Sequence, residues 1–299
     1  MAEKVIIGGG SGLIGRALTQ RLEDEGYEVA WLSRSSGRKE VQTIGWNPVE
    51  GVFPAEEIKE FDHFINLAGA GIADQRWTPK RKNLITQSRV QPNLLFAEAL
   101  KEEIGNLKSY VSSSAIGIYG DSGSQWVTED DTPTNSGFLH ESCSKWENCI
   151  QKVAERGLRT AWLRTGIVLS PKGGALEKML LPLKFGVSGY FGSGRQYYSW
   201  IHIEDMVELY IKAMQSNWSG PYNAVAPHPV SMKEFSEVLA DVAKGYQWVL
   251  PVPALGLKIS MGEMSKVLLN SNRVSAQKVL DNGFVFKFES LEEALKDLL

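Results

Sequence analysis

The stretch Val5-Ile6-Ile7-Gly8-Gly9-Gly10-Ser11-Gly12-Leu13-Ile14-Gly15 limits what this chain can fold into more than any other. Lys4 to Ile7 is too continuously apolar to alternate faces, the pattern of a strand buried on both sides of a parallel sheet. From Ile14 to Glu25 the apolar residues Ile14, Ala17, Leu18 and Leu22 fall on one helical stripe, which Gly26 closes. Between strand and helix the glycines allow a tight turn and a close approach of another backbone. The helix start then points its free N–H groups and the positive end of its dipole outward, a natural seat for the pyrophosphate of a dinucleotide. Gly9, Gly12 and Gly15 give the spacing G-x-x-G-x-x-G, and Gly10, Gly12 and Gly15 give G-x-G-x-x-G. Leu13 and Ile14 open the helix and belong to the same cofactor-facing turn. Such spacing carries weight because it lies between a strand and a helix at the start of a βαβ unit.

The same rhythm continues downstream. Apolar runs at 28–32, 63–67, 109–113 and 160–164 read as further strands, and helical patterns cover about 78–103 and 141–156. Alternation of this kind predicts an α/β fold, a Rossmann-type doubly wound parallel sheet. After Pro171 a glycine-rich stretch to Trp200 reads as loops lining a cleft, and 204–215 resumes a helix. A helix near 255–269 and a final helix from Leu291, with Ser290 and Glu293 spaced as a capping box, form a smaller C-terminal lobe on the substrate side. The expected division is a dinucleotide-binding domain over 1–245 and a small domain over 246–299.

Composition narrows the partners. With 43% hydrophobic and 22% charged residues the chain is an ordinary globular one, and a net charge of −3 gives no broad surface for nucleic acid. No run approaches the ~18 apolar residues of a membrane span, and the start lacks the pattern of a signal peptide. Cys143 and Cys149, six apart on one helix, face different ways, so no disulfide is expected and a cytoplasmic location fits. The four histidines at 63, 140, 202 and 228 are scattered, which gives no metal-ligand set. The remaining partner is a small-molecule substrate.

The end of the second strand selects the cofactor. About 20 residues past the glycines a carboxylate would hold the ribose 2′-hydroxyl of NAD, but this position holds Ser33 followed by Arg34. No acid repels a 2′-phosphate there, and a guanidinium can take one in a bidentate grip. Arg38 and Lys39 follow. NADP is the expected cofactor.

Taken together, these residues resemble the extended short-chain dehydrogenase/reductase superfamily, which includes nucleotide-sugar epimerases and dehydratases. The likeness covers Gly9-x-x-Gly12-x-x-Gly15, Asn66-Leu67-Ala68-Gly69, Ser112-Ser113-Ser114 and Ser199-Trp200-Ile201-His202-Ile203-Glu204-Asp205. Arg76-Trp77, Ser88-Arg89-Val90, 163–169 and the segment 248–295 look like an atypical, epimerase-like branch sometimes labelled as cell division inhibitor homologues. The resemblance implies that Leu67 and Ala68 lie along the cofactor and that Arg89 reaches it from the next helix. It implies further that Val168 borders the nicotinamide end, and that the Ser114 hydroxyl meets the reacting oxygen. Dimerisation through the two central helices is the superfamily's habit, so a monomer or homodimer is expected.

The chain departs from that pattern where the chemistry should be. The superfamily pairs a tyrosine with a lysine four residues on, and here Lys145 is preceded by Glu141, with no tyrosine between Gly120 and Tyr190. Beside an ammonium a carboxyl group is a poor proton donor, so Glu141 and Lys145 read either as a base and its partner or as a solvated helix pair. Tyr119, in the turn after Ser114, and His140 are the other candidates for proton transfer. Two readings follow, an NADP-dependent oxidoreductase or epimerase, and an NADP-binding sensor or scaffold without turnover. Ile167 and Tyr198 replace an asparagine and an arginine that grip nucleotide-sugar phosphates in the superfamily, which disfavours such substrates.

Overall fold

The computed structural model of the protein describes residues 2–34, 41–101, 103, 105–131, 137–243 and 248–299. Seven strands form one sheet: β1 (Lys4–Gly8), β2 (Glu28–Ser33), β3 (Gln42–Gly45), β4 (His63–Asn66), β5 (Ser109–Ala115), β6 (Thr160–Thr165) and β7 (Gly220–Ala224). Their spatial order is β7-β6-β5-β4-β1-β2-β3, and every adjacent pair is parallel. The expected doubly wound sheet is therefore present. The order reverses between β1 and β4, and ligands bind beyond the carboxyl ends of strands at such a point.

Strand alternation explains why the sheet is covered twice. Val5, Ile7, Ile65 and Val111 pack on one side with Leu18 and Leu22 of α1 (Leu13–Asp24). Ile6, Phe64 and Tyr110 pack on the other with Phe96 of α2 (Pro79–Ala99) and Trp146 and Ile150 of α3 (Phe138–Ala154). Both faces of each central strand are apolar, which only a sheet with helices on both sides satisfies. The fourth large helix, α4 (Ile203–Gln215), lies beside α1 and contributes Met206, Val207 and Tyr210 to the first cluster.

Several local expectations change. The short strands β3 and β7 lie at the sheet edges, and β7 contains Pro221, which an edge tolerates. The helix expected near 255–269 is three pieces, Ala254–Met261, a 3-10 turn at Gly262–Ser265, and Lys266–Leu269. The break falls at Gly262, whose φ is +61°. Ser290 is the N-cap of Leu291–Leu298, yet its side chain makes no capping bond. The reciprocal capping box occurs instead between Ser231 and Glu234, ahead of Met232–Val242. The acidic residue at the start of α4 is a strut: the Asp205 carboxylate accepts the N–H groups of Lys287 and Phe288, at 2.8 and 3.0 Å.

The C-terminal segment is woven into the body of the protein. Val274, Ala276, Val279, Phe284 and Phe286 join the core beside the sheet, while Leu291, Ala294 and Leu295 pack on Phe235 and Trp200. Among the described residues no helix is long and apolar enough to cross a membrane.

One buried polar chain ties β4 to α2. The Ala68 N–H donates to Asn66 Oδ1, Asn66 Nδ2 to the Tyr110 hydroxyl, that hydroxyl to Asn93 Oδ1, and Asn93 Nδ2 to the carbonyl of Arg89. These bonds span 2.7–3.1 Å, and Asn66, Asn93 and Tyr110 are buried. Replacing Tyr110 with Phe strands one donor and one acceptor in the interior. Urea denaturation of Tyr110→Phe should show a loss of about 1–3 kcal/mol.

Candidate functional site

At the end of β1 the chain enters the glycine turn, and two positions there exclude any side chain. Gly9 has φ +79°, and a β-carbon on it would come within 2.8 Å of the Leu67 carbonyl. One on Gly15 would come within 2.6 Å of Gly9 O and Gly10 Cα. These contacts press α1 onto the carboxyl ends of β1 and β4. Gly12 is the N-cap and supplies no side-chain cap, and the first turn of α1 carries no acidic residue. The N–H groups at this helix start therefore stay available to an anion. The turn is braced from behind: Trp31 Nε1 donates to Thr19 Oγ1, which donates to the Gly15 carbonyl, both at 2.8 Å.

From this turn a cleft of about 580 Å³ runs across the sheet end. It brings together Gly9, Gly12, Leu13, Ile14, Gly15, Leu67, Ala68, Arg89, Ser114 and Val168. Ser33 and Arg34 lie outside its lining, at the carboxyl end of β2, one and two residues beyond the Gly8–Leu32 pairing. Arg34 is exposed there. Arg38 and Lys39 lie outside the described residues.

Arg89 is the buried cation of the cleft. Its guanidinium donates to the Ile85 carbonyl at 2.9 Å and lies 5.2 Å from the Trp146 ring. Burial lowers its pKa, and no carboxylate among the described residues pairs with it. A desolvated, uncompensated positive charge of this kind favours an anionic ligand group.

The helical face of α3 differs from the sequence expectation. Glu141 and Lys145 are both exposed and absent from the cleft lining, and no ion pair joins them. Leu139, Ser142, Cys143 and Trp146 point inward instead. With about 100° of rotation per residue, an offset of two positions turns a side chain to the far side of the helix. The inward pairs at i and i+4 are thus Phe138 with Ser142, Leu139 with Cys143 and Ser142 with Trp146, none of which carries a charge. Burial pushes the Cys143 thiol up to about 12, so it stays protonated near neutral pH.

Tyr119 is also removed from the cleft. Its hydroxyl donates to Asn223 Oδ1 at 2.7 Å and accepts from Arg164 Nη1 at 2.8 Å, and burial raises its pKa. Its proton is committed to the interior. His140 borders a smaller adjoining hollow with Trp77, Asp121 and Asn270, its Nδ1 2.6 Å from the Ile118 carbonyl.

Ser114 does border the cleft, and its environment was not anticipated. Its hydroxyl donates to Glu147 Oε1 at 2.6 Å. Arg164 grips the same carboxylate with two bonds, Nε to Oε1 at 2.9 Å and Nη2 to Oε2 at 2.8 Å. Burial works against the charge on Arg164, but the Glu147 carboxylate outweighs it and raises its pKa. With its one proton held by Glu147, Ser114 offers the cleft only lone pairs, an acceptor for a substrate O–H. The signal for this cluster was Arg164 itself, a charged residue ending an otherwise apolar strand.

This arrangement matches known proteins along its whole length. The model of the NAD dependent epimerase/dehydratase family matches residues 5–225, and a domain family of unknown function matches 252–298. This chain belongs to the NAD-dependent epimerase/dehydratase family. The epimerase family protein YfhF of Bacillus subtilis is 37% identical over 295 residues, covering 97% of this chain and 96% of the relative. The Arabidopsis thaliana protein named as a chloroplastic SDR39U1 homolog is 32% identical, with 99% of this chain and 86% of the relative covered. Among solved structures, human epimerase family protein SDR39U1 (isoform 2) with NADPH superposes at a TM-score of 0.88. It is 29% identical, and the match covers 99% of this chain and 98% of that one.

The glycine turn forms one end of the cleft, and Glu147 and Arg164 form the buried support under it. A second, broader hollow of about 1410 Å³ opens between α1, α4 and the final helix. Arg21–Glu208 and Lys287–Glu204 pairs bridge its walls, and Arg16 and Lys172 also line it. The two carboxylates of α3 should separate cleanly on mutation. Glu141→Gln should leave thermal stability within about 0.5 kcal/mol of the parent. Glu147→Ala strands the Arg164 charge and should cost about 3–5 kcal/mol in the same calorimetric comparison.

Proposed function

We propose that this protein is an NADP-dependent oxidoreductase or epimerase acting on a small molecule. The observation that carries the reading is the uncapped start of α1 opening into a cleft that continues past Arg89 to Ser114. The NADPH held by the 29% identical human relative supports the same cofactor. In this reading the backbone of Gly9 to Gly15 with Leu13 and Ile14 binds the pyrophosphate, and Leu67 and Ala68 lie along the cofactor. Ser33 and Arg34 take the 2′-phosphate, Arg89 balances negative charge, and Val168 borders the reactive end. When bound, the nicotinamide supplies the hydride acceptor or donor.

Ser114 receives the reacting oxygen as a hydroxyl, because its own proton is held by Glu147. Leu139 and Cys143 give that oxygen no acid on α3, so the proton leaves through bound water. Nucleotide-sugar substrates fit poorly. Ile167 offers no donor to a diphosphate, and the Tyr198 hydroxyl is buried and donates to the Leu268 carbonyl at 3.0 Å. The apolar inward face of α3 favours a second reading, an NADP(H)-binding sensor or scaffold without turnover.

A screen of alcohols with NADP⁺ and of ketones with NADPH, followed by nicotinamide absorbance, separates the two readings. Turnover that is lost in Ser114→Ala supports the enzyme; tight NADPH binding with no turnover of any compound supports the sensor. The cofactor assignment has its own check. Arg34→Ala should weaken NADPH by about ten- to a hundredfold, the worth of a charged hydrogen bond of roughly 1.5–3 kcal/mol, with little effect on NADH. Equal losses for both nucleotides in a fluorescence titration would refute the 2′-phosphate role.

A further inference from the structure

The part of the cleft farthest from the glycine turn is walled by the C-terminal segment. Ser271 to Val274 is bonded on two sides. The Ser122 N–H donates to the Ser271 carbonyl at 2.9 Å, and the Ser271 N–H donates to Asp121 Oδ1 at 3.1 Å. On the other side the Asn272 N–H donates to the Tyr197 carbonyl at 3.0 Å, and Ser199 Oγ donates to the Asn272 carbonyl at 2.8 Å. Such a segment is a fixed wall rather than a loose lobe.

Three polar side chains on this wall line the cleft: Lys266, Asn270 and Asn272. Lys266 also borders the two hollows that adjoin it, neither of which includes a residue of the glycine turn. No described carboxylate pairs with Lys266. The acidic groups nearby are engaged, Glu263 by Lys82 and Asp121 by the N–H groups of Gly123 and Ser271. Beside them Ile72, Phe138, Leu139 and Val267 line the cleft and share one apolar cluster with Trp77 and Met264.

We infer that this wall selects the substrate: a compound with an apolar, ring-sized body and one carboxylate, the carboxylate held by Lys266 with the Asn270 and Asn272 amides. A single ammonium and two neutral amides match one negative charge, whereas a diphosphate would call for more cations. The inference deepens the proposed function and rests on it for the chemistry, but its binding claim can be read separately.

The test uses 3-benzoylpropionate, which joins an aryl ketone to a carboxylate, and its methyl ester. Both are titrated calorimetrically into the full-length protein with and without NADPH. The acid should bind at least about tenfold more tightly than the ester, as one charged contact predicts. Lys266→Met should reduce that preference to within about twofold while leaving NADPH affinity unchanged. Lys266 is exposed, so the variant should fold, and Asn272→Asp, which sets a like charge against the carboxylate, should abolish the preference as well. The inference is overturned if acid and ester bind alike, if the acid shows no saturable binding, or if Lys266→Met keeps the preference. Failure of NADPH to bind would sink the proposed function instead, and the cofactor-free titration would still judge the wall.

Discussion

The constraint on which the rest of the structure depends is the backbone-on-backbone contact at the glycine turn. Gly9 lies against the start of the Leu67–Ala68 segment, and Gly15 lies against Gly9 and Gly10, with no room for a β-carbon at either place. Because α1 can approach that closely, its N-terminus opens over the point where the strand order reverses. The cleft, its cation and its serine are all arranged around that opening. The Asn66–Tyr110–Asn93 chain then fixes the distance from β4 to the turn of α2 that carries Arg89. A polar network inside an apolar sheet is costly unless every member is bonded, and this one passes its bonds from the strand end to the helix.

Much of the fold could be read directly from residue pattern. The buried strands announce themselves as apolar runs, and the turn by its glycines, because both depend on local chemistry and spacing. β3 and β7 escaped because edge strands need not be apolar on both faces, as Gly220-Pro221 illustrates. The break at Gly262 was hidden because the residues on either side keep a helical pattern while the glycine alone takes a positive φ.

The cleft was legible at the glycine turn and opaque along α3, for a physical reason. The turn is built from backbone groups whose position follows from a short motif. The cleft face of α3 depends on how one helix is rotated, and an offset of two residues exchanges Glu141 and Lys145 for Leu139 and Cys143. Glu147 and Arg164 lie seventeen positions apart on different elements, so no spacing rule links them. Tyr119 looked available because it follows Ser114 in sequence, yet its hydroxyl turns inward to Asn223.

The double stitching of Ser271 to Val274 has a consequence in time. The glycine turn leaves the ribosome well ahead of the far wall of its cleft, which is made of residues near position 270. At roughly 5–20 residues per second, the interval between the two is on the order of 10–50 seconds. For that period the nascent chain has its glycine turn and an unfinished cleft whose apolar lining faces water. Sheet assembly can begin early, while the chamber closes only as 271–274 threads between 121–127 and 197–199. The two ends of one cleft are thus completed at well separated times.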